Sequence, residues 1–378
     1  MMARRGCWML MAALVACGDS EAAMSSSGGT EGTGVAEGGG DPGLPGMGWT
    51  LRRQVTLDPS VLDLGLTDVP VLVRLDGSRI EYTQTNAFTP DVRFYDGELG
   101  KELAFDVEQW NPEGTSYLWV KLPVIEDTDA GRAFYMYYGN DGLAEAGPGS
   151  EVWSNAFSGV WHMADGAIGG VSDASGHGHD AMLDGGGASL RTAQLLGPAL
   201  SIDASASALR VPDTPTLFLG QSMTLEGWVN ADRVDDDALR SIVRKRDSYA
   251  LRTIGDMTGN PGAPQGVAWF TTADERGVTA DAPLARGQWT HLAMTYDGPS
   301  GEFALWVDGV LVQTRAPPSE DVTDSDFDLE MGLEAYGLVD EVRISTVARD
   351  AAWMSVQHLS MTDALLTFGS PDVTTDGG

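Results

Sequence analysis

Residues 288–314, QWTHLAMTYDGPSGEFALWVDGVLVQT, restrict the possible folds more than any other stretch, because they spell out successive strands and the turns between them. Leu292, Met294 and Tyr296 fall at alternate positions, and so do Phe303, Leu305 and Val307, which is the period of a half-buried strand. Asp297-Gly298 and Ser300-Gly301 interrupt the chain between these two runs. Asp308-Gly309 then supplies the two positive-φ residues of a tight hairpin leading into residues 310–313. Three antiparallel strands follow, each with one core face. Trp306 has the opposite parity to Phe303, Leu305 and Val307 and is expected on the non-core face, exposed or covered by a loop.

The 378 residues suffice for two ordinary domains plus tails. Lys and Arg number 23 against 55 Asp and Glu, a net charge of −32, which argues against nucleic acid and against unaided adhesion to anionic lipid. Cations are more natural partners, although surface carboxylates also serve solubility alone. At the start, Arg4 and Arg5 precede an apolar run at 8–15 that is too short for an ordinary spanning helix and reads as an export signal. Leu14-Val15-Ala16-Cys17 resembles the bacterial lipobox, which implies a signal peptide over 1–16 and lipidation of Cys17. Cys7 and Cys17 are the sole cysteines, so no disulfide is expected within the folded part. Residues 17–48 are rich in Gly, Ser, Thr and acids and read as an anchor with a flexible tether.

Residues 49–146 read as all-β, with candidate strands at 53–57, 69–75, 91–95, 117–122 and 133–138. Their DVRFYD (91–96), Glu108-x-Trp110, YLWVKLP (117–123) and FYMYYGN (134–140) resemble domain of unknown function number twenty-three forty-one, a bacterial envelope family that implies a β-sandwich and no catalytic residues. After a Gly/Pro/Ser hinge, residues 151–348 resemble the laminin-G-like jellyroll family of the concanavalin-A-like superfamily. The resemblance rests on Trp289-x-His291-Leu-Ala-x-Thr-Tyr-Asp-Gly298, Leu305-Trp-Val-Asp-Gly309, Asp173-Ala-Ser-Gly-His-Gly-His-Asp180, LEGWV (225–229) and GLVDEVRI (337–344). It implies two β-sandwiches, the second a jellyroll. Residues 349–378 read as a short helix at 351–359, with Trp353, Val356 and Leu359 on one side, followed by a tail frayed from Pro371.

No G-x-S-x-G elbow occurs, and His291, His177 and His179 read as strand-face and turn residues rather than bases. Glycoside hydrolysis needs two opposed carboxylates, for which Asp326, Asp328 and Glu330 are the nearest arrangement. Calcium is a better use for acids in an exported chain. Asp173 and Asp340, at family-motif positions near the two ends of the jellyroll, are the candidate ligands, against the alternative that Asp173 holds its own turn and Asp340 pairs with Arg343 or caps a strand. The loop 321–328 lacks an EF-hand's glycine and glutamate and reads as solvated. Of the indoles able to stack on a sugar, Trp228 and Trp269 read as core and Trp306 is the ligand-binding candidate, unless the first domain or a loop covers it.

The expectation is a non-enzymatic lipoprotein, anchored by lipid to the bacterial envelope at the outer membrane, whose jellyroll binds an extracellular carbohydrate or protein. The alternatives are a polysaccharide hydrolase and a ligand-free structural protein.

Overall fold

The computed structural model describes residues 48–126, 132–140, 147–164, 169–191, 195–234, 238–255, 259–271, 274–316 and 319–374, so Cys17 and the tether lie outside the described residues. Four sheets stack as two sandwiches. In the first, one sheet runs in the order Leu366–Phe368, Leu51–Leu57, Ala133–Tyr138, Val92–Asp96, Lys101–Leu103, and the second in the order Leu66–Leu75, Ser116–Ile125, Phe105–Gln109. Val69, Val71, Val73 and Leu75 alternate toward Val92, Phe94, Phe134 and Met136 and close the core between them. Part of the tail expected to fray from Pro371 is paired: Asp372–Val373, like Leu366–Phe368 before it, pairs antiparallel with Leu51–Leu57. The end of the chain thus completes the sheet that its first strand begins.

The jellyroll has two sheets. The one we call the seam sheet is ordered Ala188–Arg191, Ala199–Ile202, Gly337–Ser345, Ser222–Ala231, Trp289–Asp297, Glu302–Val307, Val310–Arg315, with Phe157–Trp161 beside Gly337–Ser345. The other, the open sheet, is ordered Asp274–Thr279, Pro264–Phe270, Tyr249–Thr253, Arg240–Lys245, Leu329–Met331, Ala208–Val211, Ala181–Asp184, Gly170–Val171. Leu292, Met294, Tyr296, Phe303 and Leu305 fill the space between the sheets, as their alternation requires. Asp308 (φ 50°) and Gly309 (φ 75°) make the expected turn. Gly309 is required twice over, since a Cβ there would also lie 2.8 Å from the His358 Cβ.

The other face of the seam sheet is what the period could not resolve. Trp228, Ala293, Ala304 and Trp306 belong to the same apolar cluster as the first sandwich, together with Trp353, Met354, Val356 and Met361 of the helix Ala351–Met361. Asp350 caps that helix by accepting from the Trp353 amide at 2.9 Å. Its buried polar side chains stitch the outer edge of strand Leu66–Leu75. Ser360 Oγ accepts from the Leu72 amide at 2.6 Å, and Gln357 Nε2 donates to the Pro70 carbonyl at 2.8 Å. Pro70 has no N–H to satisfy, which suits it to this edge. Gln357 Oε1 accepts from Arg343 of the seam sheet at 2.9 Å, so a single side chain ties the layers together.

Candidate functional site

Asp173, expected as a calcium ligand, is instead spent on its own turn. Its Oδ1 accepts from the Val160 and Ser175 amides at 3.0 and 2.9 Å, and Oδ2 from the His179 amide at 3.1 Å. His179 is likewise structural, with Nδ1 2.7 Å from the Ser158 carbonyl. Trp306 requires a second correction: it is 4% exposed, its Nε1 donates to Thr295 Oγ1 at 3.2 Å, and its ring has no free face for a sugar. His291 lies on the same covered face, with Nε2 3.3 Å from buried Glu226. The carboxylates at 326–330 do not oppose one another: Asp326 and Asp328 are exposed in a loop, while Glu330 is held between Arg210 and Arg244.

Asp340 takes part in a different constellation from the one expected. Along Gly337–Ser345 the pairing slips opposite Glu226/Trp228, placing an extra residue in the strand, and Glu341 adopts φ 50°. This bulge turns both Asp340 and Glu341 away from the jellyroll core while Val339, Val342 and Ile344 remain in it. Glu341 Oε1 lies 2.8 Å from His162 Nδ1, and Oε2 accepts from Arg343. From the first sandwich, Glu108 Oε2 accepts from Trp119 Nε1 at 3.0 Å and lies 3.9 Å from His162 Nδ1. Asp106 Oδ2 accepts from Trp153 Nε1 at 2.9 Å and is 3.6 Å from His162 Nε2. Arg343 rests on the Trp119 ring at 4.2 Å, and His162 stacks on the same indole.

Burial dominates the electrostatics of this cluster. It pushes Glu108 and Asp340 well above the usual carboxylate range, and the charge of Glu341 pushes both further. Burial opposes protonation of His162, but Glu341, Asp106 and Glu108 outweigh it and hold the imidazole well above its ordinary pKa. Burial also opposes ionisation of Glu341, yet His162 and Arg343 bring it below its usual value. Among the described residues, Glu108, His162 and Glu341 are the one group of acids and histidines able to converge on a metal ion, their ligand atoms lying within 4.8 Å of one another. One local hint of this site exists: Val339 and Val342 are three apart around Asp340-Glu341, which breaks the strand period. Nothing local joins Glu108 to His162.

The outward face of the open sheet is the remaining candidate. There Trp269, expected in the core, is half-buried, with the Arg252 guanidinium 5.8 Å from its ring. Arg252 donates to Gln265 Oε1 at 2.8 Å and to Glu275 Oε1 at 2.7 Å, and Gln265 Nε2 donates to Thr279 Oγ1 at 2.8 Å. Arg244, Glu330, Arg210 and Asp184 continue the polar row across the sheet. A flat indole flanked by fixed donors and acceptors is the chemistry that holds a sugar ring or a polar peptide.

Residues 203–355 match the family described as "Concanavalin A-like lectin/glucanases superfamily". The second sandwich is a concanavalin A-like domain. Residues 89–164 match "Domain of unknown function (DUF2341)", which precedes it. Pentraxin-related protein PTX3 of Bos taurus is 32% identical over 88 residues, 23% of this chain and 21% of its own. The chain therefore spans about a fifth of that curated relative. Among solved structures, the binding domain of Paraclostridial Mosquitocidal Protein 1 aligns at a TM-score of 0.45 with 10% identity, covering 54% of this chain and 52% of that one. Domain 4 of AbnA, a GH43 extracellular arabinanase from Geobacillus stearothermophilus, in complex with arabinotriose, aligns at 0.42 with 18% identity, covering 53% and 96%.

Proposed function

We infer that this is a surface lipoprotein, anchored through Cys17, whose concanavalin A-like domain binds an extracellular carbohydrate or protein on the outward face of its open sheet and catalyses no reaction there. The observation that carries the reading is the half-buried Trp269 with Arg252, Gln265 and Glu275 around it, on a domain matching a lectin and glucanase superfamily. The outward face of the opposite sheet is covered at Trp228, Ala293, Ala304 and Trp306 by the first sandwich and the helix. Against hydrolysis stands the state of the best acids: a general acid and its partner must face each other across a substrate, whereas Glu330 is neutralised by two arginines. An array of bacterial and plant glycans and extracellular proteins, probed with the full chain, tests the reading alongside a reducing-sugar assay on the ligands retained. Saturable binding without sugar release supports it. Sugar release favours the hydrolase, and no binding at all favours the ligand-free structural role.

A further inference from the structure

The acids at the seam between the sandwiches are not balanced by the protein's own groups. Asp106, Glu108, Asp340 and Glu341 face one imidazole and one guanidinium, those of His162 and Arg343. The side chains of Glu108 and Glu341 are 0% exposed, and Asp340 is equally buried. With all six groups ionised, this interior carries surplus negative charge, among the costliest arrangements a fold can hold. If Glu108 and Asp340 take protons, each becomes a hydroxyl donor, yet Glu108 Oε1 and Asp340 Oδ2 have no hydrogen-bond partner. Neither protonation state satisfies the cluster. A cation would.

We propose that Glu108, His162 and Glu341 bind a first-row divalent cation of the zinc or manganese class, which clasps the first sandwich to the jellyroll. Trp119 holds Glu108 Oε2 and Arg343 holds Glu341 Oε2, which fixes both carboxylates and leaves Glu341 Oε1 against the imidazole and Glu108 Oε1 without a partner. That is how the surroundings of a metal site orient its ligands. The spacings from His162 Nδ1 to Glu341 Oε1 and Glu108 Oε2, 2.8 and 3.9 Å, bracket the ~3.4 Å separation of ligand atoms about 2.1 Å from a tetrahedral ion. One imidazole nitrogen with two carboxylates suits zinc or manganese. Calcium, which takes six to eight oxygens, does not fit. Asp340 Oδ2, buried and without a hydrogen-bond partner, lies near enough to feel the charges of Glu341 and His162. Binding displaces the proton of His162, so affinity rises with pH. Because Glu108 comes from the first sandwich and Glu341 from the second, this is independent of whatever the open face binds.

The test is elemental analysis and calorimetric melting of the full chain, prepared both from cells supplemented with zinc or manganese and by refolding with each ion after EDTA dialysis. About one ion per chain and a melting temperature above that of the ion-free chain are expected. Glu108→Gln and Glu341→Gln should each lose at least nine-tenths of the ion. Ion-free Glu108→Gln, which replaces a buried acid by a neutral amide of nearly the same shape, should melt no lower than the ion-free parent, so its loss of metal is not loss of fold. Asp326→Asn in the exposed acidic loop should keep the ion. No stoichiometric metal in either preparation, retention by Glu108→Gln, or retention of calcium alone would overturn the proposal.

Discussion

Replacing Gln357 with Leu removes a side chain that spans three layers, and its cost can be worked from two hydrogen bonds. Gln357 is fully buried, accepts from Arg343 and donates to the Pro70 carbonyl. Leucine fills much the same volume but leaves a guanidinium N–H and a backbone oxygen buried without partners. Each such group costs about 1–3 kcal/mol, the charged one more, against a gain of about 1 kcal/mol from burying a more apolar side chain. The net is about 3 kcal/mol. Over the folded span 48–374, about 2.1 cal/mol/K per residue gives an unfolding entropy of ~0.7 kcal/mol/K, so the melting temperature should fall by about 4 °C. Differential scanning calorimetry of the full chain at pH 7 measures it. Ser360→Ala, which removes only the acceptor for the Leu72 amide, should cost less than half as much. A Gln357→Leu melt within 1 °C of the parent would refute the idea that the helix stitches the seam.

Deleting residues 366–378 strips the partners Phe368, Thr367 and Leu366 from strand Leu51–Leu57, and should cost about 5 kcal/mol by urea unfolding, whereas a frayed tail would cost nothing measurable. In ion-free protein, Glu108 and Asp340 hold protons above their ordinary values, and His162 does the same. Stability should therefore fall as pH rises, from about 4.5 upward for the acids and from about 6.5 for His162, by about 1.4 kcal/mol per pH unit for each proton retained. The lowered acids, Asp106 and Glu341, act in the opposite sense, losing their contribution only as pH falls below about 4.5. Urea midpoints from pH 5 to 9 should slope downward, and Glu108→Gln should flatten the slope by about one proton; an unchanged slope would contradict the assignment. Cys17→Ser should abolish labelling by radioactive palmitate and release the chain from membranes into the soluble fraction.

Much of the jellyroll was legible because its signals are local. The alternation around Leu292 and Phe303 named the core face, and Asp308-Gly309 named the hairpin. In Asp173–Asp180, glycines at 176 and 178 with positive φ allow the carboxylate to gather amides from its own loop. The seam was not legible, because period two says that a strand has two faces and not what lies on the second. Trp306 was assigned correctly to the non-core side, but the layers that cover it come from residues more than two hundred positions earlier and some fifty later in the chain. The late strands, Leu366–Phe368 and Asp372–Val373, are too short to show a period. Asp340 was paired with Asp173, whereas it sits beside Glu341 in the seam; a regular strand would have sent Glu341 into the core, and only the bulge brings it beside His162.

The most direct measurement of where ligand binds is to compare, on whichever glycan or protein the array retains, the affinities of the parent, Trp269→Ala and Trp306→Phe by titration calorimetry. The open-face account predicts at least a tenfold loss for Trp269→Ala, since an aromatic–ring contact and the Arg252 beside it both depend on the indole, and an unchanged affinity for the buried Trp306→Phe. Full affinity in Trp269→Ala, or a loss confined to Trp306→Phe, would contradict it.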